Sequence, residues 1–166
     1  MKRFDHRSRR RFERDRKLKR TREQRGGFKC CHCRNLVPVH PYMGTANRNH
    51  CNLCLWSKHV DDKKGDRGAM CQAAMRPIGL TFRIESTGRL GEIMLIHDCS
   101  GCSKISINRI AADDIDAEIL QIFSSSWLMP QRLVRQILGQ GIRLALRTDA
   151  QEIRKQLFGQ TATENR

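Results

Sequence analysis

Aromatic residues are scarce in this 166-residue chain, at 5%, and acidic residues are outnumbered, with 17 Asp+Glu against 32 Lys+Arg. No run of about 18 apolar residues occurs, which excludes a membrane-spanning helix. No apolar stretch follows the basic first residues, so no secretory leader is expected. With 39% hydrophobic residues, a large enzyme-like core is not expected, because small domains bury too little surface to be stable unaided. The shortage of aromatics argues against single-strand recognition by rows of stacking platforms. What the chain does have is a formal net charge of +15, and that charge calls for a polyanionic partner, nucleic acid first.

The charge is concentrated at one end. Residues 1–27 carry thirteen cations: Lys2, Arg3, Arg7, Arg9, Arg10, Arg11, Arg14, Arg16, Lys17, Lys19, Arg20, Arg22 and Arg25. Against them stand only Asp5, Glu13, Asp15 and Glu23, so this arm holds +9 and the rest of the chain +6. Met1, Phe4, Phe12 and Leu18 are its only apolar side chains, too few for it to fold alone. Arginine outnumbers lysine ten to three, which suits bidentate phosphate contacts and stacking on bases. The arm reads as an extended or helical nucleic-acid binder that releases counterions. Gly26-Gly27 then forms a joint, and a folded body begins at Phe28.

All eight cysteines lie between residues 30 and 102. Without an export signal they are expected to be reduced and to bind metal. Cys30/Cys33 and Cys51/Cys54 are two Cys-x-x-Cys pairs with seventeen residues between them, the spacing of a four-thiolate structural zinc site. Cys31 is left over as a packing or spare thiol. Cys99/Cys102 is a third such turn, and Cys71 supplies one more thiol for a second zinc site. Its fourth ligand is His59 or His97; the sequence leaves both open. Gly65-Asp66-Arg67-Gly68 lacks the surroundings of a phosphate loop and reads as a turn between the two sites.

Ile78, Leu80, Phe82 and Ile84 fall at period two, Ser86-Thr87-Gly88 turns, and Ile93, Leu95 and His97 alternate again. This predicts a hairpin leading into the last metal turn, with a third strand through Ile105, Ile107 and Arg109. Short strands stapled by zinc make a zinc ribbon. Beyond it the period becomes helical. Asp113-Asp114 caps a helix bearing Ile115, Ile119, Ile122 and Phe123, which Ser124–Ser126 breaks. Pro130 opens a second helix with Leu133, Val134, Ile137 and Leu138. Asp149-x-x-Glu152 resembles a capping box for a third, with Ile153, Leu157 and Phe158 on one face and Gly159 as its stop. The fold expected is a small α+β zinc-binding protein, with zinc-ribbon-like hairpins at 28–110 and short helices at 111–166 packed on them.

Arg48-Asn49-His50-Cys51, then Cys54-Leu55-Trp56-Ser57-Lys58-His59-Val60-Asp61 and Gly65-Asp66-Arg67, resemble the bacterial RNHCP domain family. The likeness runs from Phe28-x-Cys30-x-x-Cys33 through Cys71 and Met75-Arg76-Pro77-Ile78 to His97-x-Cys99-x-x-Cys102, Asn108-Arg109 and Asp113-Asp114, about residues 28–114. Asn52 stands where the family name has proline, and Ser103 where glycine often follows the last cysteine. The resemblance implies a zinc-ribbon-like domain; it covers neither the arm nor the tail.

Four-ligand zinc sites leave no position for water, so the expected function is non-enzymatic and involves no small-molecule substrate. The reading is a cytoplasmic zinc-ribbon protein that binds RNA, foremost rRNA on a ribosome and near ribosomal proteins, through Lys2 to Arg25 of the arm and Arg48. It is read as recognising folded RNA by shape and phosphates. The rivals are a DNA-bound transcription or repair factor, and a treble-clef nuclease using His50, His59 and Asp61.

Overall fold

The computed structural model describes residues 27–39, 48–63, 65–86 and 88–159. The arm's cations from Lys2 to Arg25 lie outside the described residues. Two short strands, β1 (Phe28–Lys29) and β2 (Leu36–Val37), pair antiparallel around the first Cys-x-x-Cys turn. A second sheet has the order β3-β4-β5-β6, all antiparallel: Ser57–Lys58, Ala74–Ile84, Leu90–Cys99 and Ile105–Arg109. Three helices follow, α1 (Asp116–Ser125), α2 (Gln131–Gly139) and α3 (Ala150–Phe158). This is the small α+β, zinc-ribbon-like architecture that the cysteine spacing and the two changes of period predict. Among the described residues no helix is long and apolar enough to cross a membrane.

The long hairpin β4–β5 is apolar on both faces, and the tail covers both. On one face Leu80, Phe82, Ile93 and Leu95 pack with Ile119 and Phe123 of α1, with Ile153 of α3 and with Ala145 from the segment between α2 and α3. On the other, Ile96 and Ile105 pack with Ile137 of α2, and Ile78, Met129, Leu133, Ile142 and Leu144 close around them. Burying each large apolar side chain contributes roughly 1.5–3 kcal/mol, so the tail is part of the body's core and not an appendage. A strict period of two would put Ile78, Leu80, Phe82 and Ile84 on one face. The ladder shifts register between Pro77 and Gly79 and again between Phe82 and Ile84. The shifts send Ile78 to the second cluster and leave Ile84 exposed. Pro77 has no N–H for the ladder, which is why a bulge falls there.

The helix starts differ from the capping expected of them. Ile115, not an aspartate, sits at the N-cap of α1 with no side-chain cap, because Asp114 turns inward to other partners. Asp149 precedes α3 but bonds backward, to Leu146 N–H at 2.7 Å and to Arg143 at 2.8 Å, so its pairing with Glu152 is not a capping box. Pro130 does open α2, its carbonyl accepting from Leu133 at 2.9 Å.

Candidate metal centres

The three Cys-x-x-Cys turns are built alike. At Cys30, Cys51 and Cys99 the backbone N–H donates to the carbonyl five residues on, Asn35, Trp56 and Lys104, at 2.8, 2.9 and 3.0 Å. The N–H two residues on, from His32, Leu53 and Gly101, donates to that cysteine's Sγ, each at 3.4 Å. The residue four positions on takes positive φ: Arg34 67°, Leu55 58° and Ser103 57°. Each turn therefore aims two sulfurs at one point and lays N–H dipoles against them, which favours thiolate. The glycine common after the last cysteine has its reason in that left-handed position, which Ser103 adopts with a Cβ.

Cys30, Cys33, Cys51 and Cys54 form the first centre, with all four sulfurs within 4.8 Å of one another. Sγ of Cys30 lies 3.6 Å from Cys54, and Cys33 lies 3.6 Å from Cys51. A zinc tetrahedron with Zn–S of about 2.3 Å has sulfur–sulfur edges near 3.8 Å, whereas a disulfide needs about 2.0 Å. All eight cysteines are free thiols. Burial opposes ionisation at Cys33, but the Asn35 backbone and side-chain N–H groups outweigh it and hold this thiol at about 6. Burial, and then the neighbouring sulfurs, push Cys51 and Cys54 up. Thiolate is favoured at Cys33 and opposed at Cys51 and Cys54, an imbalance that a bound cation removes.

The second centre gathers His59, Cys71, Cys99 and Cys102 within 4.8 Å. His59 Nδ1 is 3.4 Å from Cys99 Sγ and 3.3 Å from Cys102 Sγ, and Cys71 lies 3.6 Å from Cys99. The mixed N–S edge of a zinc tetrahedron is about 3.6 Å, so one imidazole and three thiolates also fit zinc. Gly101 is required here. A Cβ on it would meet Ala73 Cβ at 2.7 Å and Cys71 Sγ at 3.0 Å. His59 Nε2 is buried without a hydrogen-bond partner among the described residues. Zinc held in these two sets would serve structure, since each set fills its tetrahedron with protein ligands.

His97, the other candidate, is not brought to the sulfurs. It is fully buried, its Nε2 is 2.7 Å from the Leu55 carbonyl, and its Nδ1 is 3.0 Å from the Asn108 side-chain nitrogen. Burial holds its pKa down at about 3, so the ring is neutral and donates from Nε2 to Leu55. Cys31 points away from the first centre, its Sγ 3.3 Å from the Ser57 carbonyl, and burial raises its pKa.

Arg48 corrects the reading that places it on nucleic acid. Its side chain is 1% exposed and pairs with both Asp113 and Asp114, while Nε donates to the His50 carbonyl at 3.0 Å. Asp114 also receives His50 Nε2 at 2.7 Å and the Ala111 N–H at 2.8 Å. Arg48 and His50 are thus one buried clasp, not a surface patch. It ties the second knuckle to the chain just before α1, where Ile115 N–H also reaches the Asn52 carbonyl at 3.1 Å. The residues that complete it, Asp113 and Asp114, carry a sequence signal, two adjacent acids among the motif positions, that also suits a helix cap.

The loop at 61–68 is a turn between the centres, as its sequence suggests. The Asp66 carboxylate accepts from the N–H groups of Asp62, Lys63 and Gly68 at 3.0, 3.1 and 2.9 Å, and Asp61 accepts from Arg67 N–H at 2.7 Å. Donors that a phosphate would need are already paired with carboxylate.

No curated protein and no solved structure matches the chain. The model of the RNHCP domain matches residues 25–120, an interval that takes in both cysteine centres, Arg48-Asn49-His50, both clasp aspartates and the start of α1. Matched over more than half its length, the chain belongs to the RNHCP domain family.

Proposed function

We propose that this zinc-binding domain serves as the rigid body of a non-enzymatic RNA-binding protein that works on the ribosome, with residues 1–27 laid along rRNA. The observation that carries the reading is the arm's charge, thirteen cations against four acids in twenty-seven residues. An arm of that density binds phosphate by releasing counterions, and its arginine excess adds planar, bidentate contacts. The body supports the reading from the other side. His50 is buried against Asp114 and His59 faces three sulfurs, so the two histidines a nuclease would use have other partners. Neither metal centre has a vacant corner for an attacking water.

The test is sedimentation of the full chain with ribosomal subunits at moderate and high salt, followed by crosslinking to identify the nucleic acid. Comigration with a subunit that falls away at high salt is the expected result; recovery on DNA alone favours the transcription or repair class. Removing residues 1–27 should leave two zinc ions bound and flatten the salt dependence. Each phosphate contact contributes about 0.7–0.9 to the log–log slope, so losing five or six contacts lowers it by roughly four. An unchanged slope overturns the arm's role. Metal-dependent cleavage of RNA or DNA that vanished in His50→Ala with zinc content intact would instead make the protein a nuclease.

A further inference from the structure

A cleft of about 400 Å³ opens between the first metal centre, the start of β4, α1 and the segment entering α2. That volume lies in the range of small-ligand sites. Trp56 lines one side. Its ring is already fixed, stacked on His32 with centroids 4.1 Å apart and planes 5° from parallel. Leu128 also lines the cleft and is 86% exposed, the most exposed large apolar side chain of the described residues.

The cleft also has polar groups with bonding capacity to offer. Glu118 and Gln121 stand one helical turn apart on α1 and line the cleft. Neither side chain makes a hydrogen bond among the described residues. Gln121 can donate and accept, whereas the Glu118 carboxylate accepts only. Arg76 lines the mouth with its side chain 58% exposed, its nearest carboxylate, Asp98, 3.9 Å away. From Ile119 to Thr148 the chain then runs through thirty residues with four arginines and no acid. Of these, Arg132 and Arg135 are exposed on α2 and make no ion pair among the described residues.

A flat ring system with polar edges, joined to a phosphate, matches that combination. We infer that the cleft takes one unpaired RNA base, in contact with Trp56 and Leu128, read at its edge by Gln121 and Glu118, with Arg76 on its phosphate. Because Glu118 offers only acceptors, bases with an exocyclic amino group are preferred to uracil. The inference rests on the RNA-binding reading and adds to it a contact independent of the arm. The low aromatic content that excludes a row of stacking platforms is compatible with one.

Trp56 and Trp127 are the only two indoles, so the zinc-loaded full chain carrying Trp127→Phe reports on Trp56 alone. Titrated with oligoadenylate decamers of RNA, its Trp56 emission should fall saturably, at least about threefold tighter than with oligouridylate. Leu128→Glu and Gln121→Ala alter exposed positions, so zinc content should stay at two. Each should weaken oligoadenylate binding at least about fivefold, the lower end of what one base–aromatic contact contributes, and Gln121→Ala should do so without changing the salt slope, because a base contact releases no counterions. Quenching by deoxyadenylate as strong as by the RNA decamer upholds the base site and turns the arm's assignment toward DNA. Decamers that bind with a steep salt slope yet leave Trp56 emission and the Leu128→Glu affinity unchanged overturn the cleft and leave the arm's role standing. No binding at any salt overturns both.

Discussion

The two metal centres differ in what surrounds them. At the first, Cys30 and Cys51 are buried in an apolar cluster with Val37, and Phe28 and Trp56 pack against it. At the second, Cys71 and Cys102 face solvent, and no ligand belongs to an apolar cluster. The first centre unites two small hairpins, β1–β2 and the turn at Cys51–Ser57, the second of which the clasp also ties to the body. The second is attached to a sheet whose faces are already covered by three helices. The same ion therefore has two jobs: at the first centre its binding is folding free energy for a whole segment, at the second it pins a loop.

The largest effect should come from removing one ligand at each centre. Structural zinc contributes roughly 10–16 kcal/mol in small zinc-finger peptides. Cys51→Ser should lose one zinc and the amide protection of residues 28–58, read by metal analysis and hydrogen exchange. Cys71→Ser should also lose one zinc yet keep the protection of β4, β5 and β6. If Cys71→Ser unfolds more of the chain than Cys51→Ser, the comparison is wrong.

The clasp belongs to the first centre alone and comes next in size. Asp114→Ala leaves the guanidinium of Arg48 buried beside a single, partly exposed partner, Asp113. Breaking a buried pair from one side costs about 3–5 kcal/mol, which denaturant unfolding should show as a lower midpoint. Asp66→Ala, in the exposed loop near the second centre, should also open that turn but lower the midpoint far less.

Chelation sharpens the contrast further. Among the described residues His59 has no outer partner on Nε2, and such partners are worth roughly 10–100-fold in metal affinity. Zinc should leave in two phases, the second centre at least about tenfold faster. His59→Ala should abolish the fast phase and halve the zinc content. His97→Ala should retain both ions, though with reduced stability.

The smallest effect should be at Ser103. A left-handed residue with a Cβ is strained by roughly 1–2 kcal/mol, part of which the freer unfolded glycine chain cancels. Ser103→Gly should stabilise the protein by about 1 kcal/mol or less. Gly101→Ala, two residues earlier, should do the opposite and loosen the second centre, since its methyl meets Cys71 and Ala73.

What could be read from sequence follows the range of the interaction that decides it. The four thiols of the first centre sit in turns six residues long, so spacing alone assembles them. The choice between His59 and His97 depends on which way a strand faces. His97 shares the core side of β5 with Leu95, and its nitrogen is claimed by a carbonyl 42 residues away in sequence. Arg48 was legible as a cation but not as a buried one. Charged side chains are almost never fully buried unless paired, and its partners are 65 and 66 residues off. The strand pattern holds at Leu80 and Phe82 and fails at both ends, at Ile78 where Pro77 interrupts the ladder and at Ile84 beyond the second register shift. The helices follow from their apolar faces, and Pro130, Asp149 and Gly159 stand at helix ends as expected; the side-chain caps fail because Asp114 and Asp149 bond to groups that spacing does not reveal.

The covering of both sheet faces by the tail has a consequence for the order of events during synthesis. Every ligand of both centres lies at or before Cys102, and every helix among the described residues lies after it. At 5–20 residues per second, the fifty-six residues from Ser103 to Phe158 take about 3–11 s to add. During that interval the ribbon has its full complement of donors but no lid on either face. A nascent chain that acquires zinc early waits as a metal-held ribbon for its helices; one that does not presents two bare apolar faces and seven ligand thiols together. Zinc supply during translation, more than zinc supply afterwards, should set how much of this protein reaches its folded form.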